Sequence, residues 1–109
     1  MYATIRHYTP APGTATAEKM DALGRQLHDG FVPMMQSVPG FHAYYALNVD
    51  DRELITISVF ESRSGAEESN RRAAEYLVSN PAPIDAGRPE VMQGEVLTSA
   101  EAAREVGAR

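Results

Sequence analysis

Residues 38–61, VPGFHAYYALNVDDRELITISVFE, read as two β-strands around one tight connection. Pro39-Gly40 ends whatever precedes it, because proline cannot continue a helix and disfavours helical geometry in the residue before it. Phe41 to Val49 and Leu54 to Phe60 are rich in aromatic and β-branched residues. Between them, Asp50-Asp51-Arg52-Glu53 is wholly charged and suits a solvated turn. A three-residue loop sets Phe41, Ala43, Tyr45, Leu47 and Val49 opposite Ile55, Ile57 and Val59 on one apolar face. The other face carries His42, Tyr44, Asn48, Leu54, Thr56, Ser58 and Phe60, part polar and part aromatic. A sheet furnished in this way is covered on both sides.

Upstream of the hairpin, Met20, Leu23, Leu27, Phe31, Met34 and Val38 recur at helical spacing. Thr14 or Thr16 caps this helix and Glu18 stands in its first turn. Gly30 and Pro33 lie inside the pattern, which predicts a kink or break near Phe31. Ahead of it, Tyr2–Tyr8 alternates as a strand, and Thr9–Thr14 is a loop rich in Pro and Gly. Downstream, Ser64-Gly-Ala-Glu67 is a capping-box signature. It opens a helix to about Ser79 whose inner face is Ala66, Ala73 and Leu77, with Asn70 on the same side. Asn80–Pro89 reads as a long loop that borders any pocket and has little apolar surface to bury. Glu90–Thr98 is the last strand.

The order β-α-β-β-α-β is the split βαβ, ferredoxin-like arrangement. The expected fold class is α+β: a four-stranded antiparallel sheet in spatial order 4-1-3-2 with two helices on one face. Residues 1–98 form the domain and residues 99–109 a frayed tail. The uncovered sheet face calls for a second copy of the chain, so a homodimer is expected.

The 109 residues suffice for one domain, with 43% hydrophobic and 23% charged residues. The net charge of −5 argues against nucleic acid or an anionic membrane as partner. No cysteine is present, which excludes thiol nucleophiles, disulfides and thiolate metal sites. With no apolar signal core at MYATIRHYTP and no membrane-length apolar run, a cytoplasmic location is expected.

Two stretches, VPGFHAYYAL and ITISVFESRSGAEESNRRAAEYL, carry a resemblance to the antibiotic biosynthesis monooxygenase-like proteins of the dimeric α+β barrel superfamily. The likeness spans roughly residues 1–98 and rests on a strand ending in an aromatic residue, then an acidic residue, then a capped helix. It implies a pocket between sheet and helices in each subunit of a dimer, and cofactor-independent oxidation of an aromatic small molecule as one activity. Phe60 stands where the family commonly has Trp. The positions used by haem-degrading members fall near Ser69, Ser79 and Arg6 or His7, so their haem-site residues do not carry over. No cofactor is implied.

His7, His28 and His42 are the only imidazoles. In the expected strand order His7 and His42 flank the third strand about 10 Å apart, too far for one metal ion, and no metal site is expected. No G-x-S-x-G elbow or phosphate loop is present. Asn70, an amide among Ala and Leu, needs partners: a structural bond is the ordinary reading, a donor aimed at a ligand oxyanion the functional one. Tyr44 and Tyr45 are adjacent, so one enters the sheet–helix space and the other faces away. With the resemblance, His42, Tyr45 and Asn70 are expected as base, acid or orienter, and anion donor. Phe31, Met34 and Phe60 are expected to line the substrate pocket. The competing readings are a non-enzymatic dimeric module that binds a small molecule or only itself, and, weakened by the missing haem-site residues, haem binding or degradation.

Overall fold

The structure, a computed structural model, describes residues 1–101. Its elements are β1 (Tyr2–Tyr8), α1 (Ala17–Gln26), a π-helical turn (Leu27–Phe31), α2 (Val32–Gln36), β2 (Phe41–Val49), β3 (Glu53–Phe60), α3 (Arg63–Ser79) and β4 (Glu90–Glu95). The strands form one antiparallel sheet ordered β2-β3-β1-β4, the expected order read from the other edge. The last strand stops short of Thr98, and residues 102–109 of the expected tail lie outside the described residues.

The hairpin has the expected register, with Tyr45 opposite Ile57, Leu47 opposite Ile55 and Val49 opposite Glu53. Its three-residue turn holds Asp50 and Asp51 at φ 54° and 55°, a left-handed geometry that aspartate tolerates. Asn48 braces the turn: its Oδ1 accepts from Asp51 N–H at 2.9 Å. At the other end the register slips. Phe41 pairs with Phe60 but Ala43 with Val59, so His42 is an inserted bulge residue. The bulge turns Phe41 onto the helix side, where its ring meets Phe60 edge-on at 5.7 Å. Phe41 therefore leaves the apolar face that strict alternation assigns to it, and His42 is exposed.

The helical stripe breaks where Gly30 and Pro33 foretold. Val32 N–H bonds Leu27 O, a five-residue step, and Pro33 has no N–H with which to restore the four-residue ladder. The wide turn rotates the face, so that Met35 is fully buried and Met34 only half-buried. Helix α1 is capped by Thr16, which accepts from Lys19 N–H at 3.2 Å. Helix α3 is capped by Ser62 rather than Ser64. It starts directly off β3 because Gly65 packs against the Phe60 ring, where any Cβ would meet ring atoms at 3.0–3.2 Å.

The core lies between the helices and one sheet face and includes Leu23, Leu27, Phe31, Met35, Phe60 and Ala73. The loop after α3 contributes to it: Ile84 and Ala86 are buried, correcting the expectation that this segment has little to bury. The opposite sheet face is open. Tyr45, Ile57, Ile5 and Met92 form one cross-strand row there, with Tyr45 59% and Met92 70% exposed. Ile5 and Met92 occupy this face, while Tyr2, Arg6, Tyr8 and Val91 share the other parity.

Candidate functional site

Strand alternation places Thr4, Arg6 and Tyr8 of β1 on the helix side, beside Thr56 and Ser58 of β3. Arg6 is 2% exposed. Its Nε donates to Thr56 Oγ1 at 3.0 Å, its Nη2 to Ser58 Oγ at 2.7 Å and its Nη1 to Asn70 Oδ1 of α3 at 2.7 Å. All three acceptors are neutral, and among the described residues no carboxylate pairs with Arg6. Asn70 is in turn fixed by Thr4 Oγ1, which donates to its Oδ1 at 3.1 Å, and donates from Nδ2 to Gln93 Oε1 at 3.2 Å. A buried guanidinium without a counter-ion is unfavourable by several kcal/mol, and burial lowers the Arg6 pKa from its ordinary value. The surrounding oxygens offset part of that cost by dipole alone.

Arg6 borders a cavity between sheet and helices, walled by Phe31, Leu27, Tyr44, Tyr8 and Tyr76 and closed by Ala82 and Ala86 of the loop after α3. The cavity measures about 30 Å³, room for a water or two. Phe31 holds the aromatic wall together, with its ring 5.2 Å from Tyr44 and 5.3 Å from Tyr76, and the Arg6 guanidinium 6.0 Å from its centroid. The Tyr44 hydroxyl is buried in this cavity without a hydrogen-bond partner. Burial pushes the Tyr44 and Tyr8 phenols above their ordinary pKa, the Arg6 charge opposing it. Both therefore serve as donors and not as bases. The lining contains no carboxylate and no imidazole. Chemically, the cavity can hold an oxyanion but has no group to remove a proton.

On its α3–β4 side Arg6 also borders an open groove of about 350 Å³, lined by Asn70, Arg88, Pro89 and Val91. Tyr8, Ala73 and Leu77 belong to both spaces.

Of the residues expected in the site, the structure brings Phe31 and Asn70 to Arg6 and leaves the others apart. His42 lies at the bulged sheet edge, with Nε2 2.5 Å from Glu61 Oε2. Tyr45 is on the open face; its neighbour Tyr44 is the tyrosine that enters the sheet–helix space. Phe60 is completely buried beneath Phe41 and Gly65, and neither it nor Met34 lines the cavity. Asn70, the amide flagged on the helix face, bonds across to β1. His7 pairs with Glu53 at 2.5 Å, away from His42. No group of three His, Asp or Glu side chains among the described residues is placed to hold a metal. Arg6 and Tyr44 were missed as site residues. The signal was parity: Arg6 alternates with Thr4 and Tyr8, on the face opposite Ile5.

No family model and no curated protein matches the chain. Solved structures do. A Nitrosomonas europaea protein of unknown function, NE2512, superposes with TM-score 0.67 at 20% identity, covering 94% of this chain and 95% of that one. A monooxygenase from ActVA-Orf6 of Streptomyces coelicolor, in complex with nanaomycin D, gives 0.63 at 16% identity over 94% and 92%. Rv0793 from Mycobacterium tuberculosis gives 0.62 at 22% identity over 92% and 98%. Other matching structures bear the name antibiotic biosynthesis monooxygenase. The likeness is one of fold: the chain carries the ferredoxin-like α+β fold of the antibiotic biosynthesis monooxygenase-like proteins.

Proposed function

We propose that the chain is a homodimeric small-molecule enzyme that oxidises an electron-rich aromatic compound without a cofactor, in the cavity between sheet and helices. The observation that carries this reading is the buried Arg6 guanidinium, which borders an aromatic-walled space and has no counter-ion among the described residues. Its charge stabilises the enolate or phenolate that the substrate forms by giving its proton to solvent water, since the cavity lining holds no base. That anion is the form that dioxygen attacks. At a ring methylene flanked by such an enolate, one oxygen atom of dioxygen becomes the new carbonyl. The other leaves as water with the two hydrogens lost from carbon. Asn70 holds Arg6 in position, and Tyr44 supplies a second donor to the anion.

Two observations favour a second reading, a dimeric binding module without turnover: the cavity has no base, and its free volume is smaller than a ring. Oxygen uptake with anthrone, an acidic aromatic ketone, separates the two. The enzyme reading expects uptake above buffer that falls on the order of a hundredfold in Arg6→Gln. Uptake no faster than buffer overturns it and leaves the binding module.

A further inference from the structure

We infer that the cavity and the groove beside it form a site for a small organic acid that arrives already ionised, its oxyanion head held between Arg6 and Tyr44. This rests on the proposal that the sheet–helix cavity is the ligand site, and it names the ligand class.

The charge distribution points there. Arg63, Arg71 and Arg72 lie on α3 and are paired with glutamates of the same helix. Arg6, far more buried than these, has only neutral oxygens. A chain of net charge −5 has acids to spare, yet none lines either space that Arg6 borders. The missing counter-ion is what a ligand brings.

The donors are arranged for it. Three neutral acceptors hold the guanidinium plane and account for three of its N–H groups. A guanidinium carries five, so two remain for a ligand. The Tyr44 hydroxyl is the one buried side-chain polar atom among the described residues without a partner. A buried hydroxyl left unbonded costs about 1–3 kcal/mol, and an acceptor between Tyr44 and Arg6 removes that cost.

Size and protonation complete the case. A cavity with room for a water or two suits a carboxylate head rather than a ring. The body then extends toward the groove, where exposed Arg88 adds a second positive charge at the mouth. Because no carboxylate or imidazole lines the site, nothing within it deprotonates a neutral acid. An ionised ligand needs no such base.

Calorimetric titration of the full chain with benzoate at neutral pH tests this, with benzyl alcohol as the neutral counterpart. Benzoate is expected to bind at least about tenfold more tightly, the weight of a charge-assisted bond. Arg6→Gln should lose about tenfold in benzoate affinity and nothing for benzyl alcohol. Tyr44→Phe, which removes only an unbonded hydroxyl and keeps the fold, should lose about threefold. Equal affinity for the two ligands, or an unaltered benzoate affinity in Tyr44→Phe, overturns the proposal. Benzoate is not oxidised under these conditions. Benzoate binding without anthrone turnover therefore removes the oxidase reading alone, whereas turnover without a preference for benzoate removes this one alone.

Discussion

Arg6 Nη1 donates a 2.7 Å hydrogen bond to Asn70 Oδ1, joining the central strand β1 to helix α3 across the core. The bond is charge-assisted and holds the guanidinium in an orientation that also reaches Thr56 and Ser58. Asn70→Leu leaves a buried N–H of a charged group without an acceptor, so it should destabilise the fold by about 1–3 kcal/mol. Asn70→Asp puts a carboxylate where the amide oxygen was. It should raise the urea midpoint above wild type, because it gives the buried cation the counter-ion it lacks. A midpoint for Asn70→Asp below that of Asn70→Leu would show that Arg6 does not behave as an uncompensated charge.

Tyr44 makes an alkaline prediction. Burial raises its pKa above the ordinary 10.0, so the folded state keeps the proton that the unfolded state loses. Stability linked to this group is fully present below pH 10, where both states are protonated. Above that value the unfolded chain binds fewer protons, and stability falls with rising pH until the raised folded value is reached. Tyr8 adds in the same direction. Tyr44→Phe should move alkaline unfolding, followed by far-ultraviolet circular dichroism, to higher pH. At pH 7 the same variant should be more stable by about 1–3 kcal/mol, since the hydroxyl it removes has no partner. A lower alkaline midpoint in Tyr44→Phe than in wild type would count against a buried neutral phenol.

Most of the fold was legible because periodicity reports it directly. The hairpin register followed from two alternating strands and a charged turn, and the break at Phe31 from Gly30 and Pro33. Phe41 and His42 were misplaced because a bulge is set by backbone hydrogen bonding at a sheet edge, to which alternation is blind. Met34 and Met35 exchanged burial because the π turn changes the phase of the helix. The site was less legible. Asn70 stood out as an amide on an apolar face, but its partner did not. An arginine between Ile5 and His7 looks like a surface residue until the parity of β1 is set against that of β3 and the helices are laid over that face. Tyr44 against Tyr45 was a two-way choice that only the sheet's orientation decides.

Gly65 is a packing requirement that links β3 to α3. A Cβ there would lie 3.0 Å from Phe60 Cδ2 and 3.1 Å from its Cβ, and Phe60 is fully buried. Overpacking of this kind typically costs about 1–3 kcal/mol. The better helix propensity of alanine returns only about 1 kcal/mol. Gly65→Ala should therefore lower the urea midpoint. Gly24→Ala, on the exposed side of α1 with nothing within 4 Å, should raise it. Equal shifts in the two variants would mean that Phe60 yields freely.

The open sheet face makes the last prediction, that the protein is an obligate homodimer. Both helical segments pack on the side of Leu54, Thr56, Ser58 and Phe60. The other side shows Ile5, Ile55, Ile57 and Val59 half-buried, with Tyr45, Leu47 and Met92 exposed around them. This surface crosses all four strands. Monomers rarely expose contiguous apolar patches beyond a few hundred Å², roughly. His7 stands toward one end of this face, opposite Ile55 and Glu90 of the neighbouring strands and paired with Glu53. A two-fold axis through the sheet buries the same patch twice, at about 25 cal/mol for each Å² of apolar area removed from water. Light scattering at micromolar concentration should return twice the 11.9 kDa chain mass, and the thermal midpoint should rise with protein concentration. Tyr45→Glu places a charge in the centre of that patch and should yield monomer or unfolded chain. A wild-type mass of one chain, or a Tyr45→Glu variant as dimeric as wild type, would leave the apolar face without the partner its composition demands.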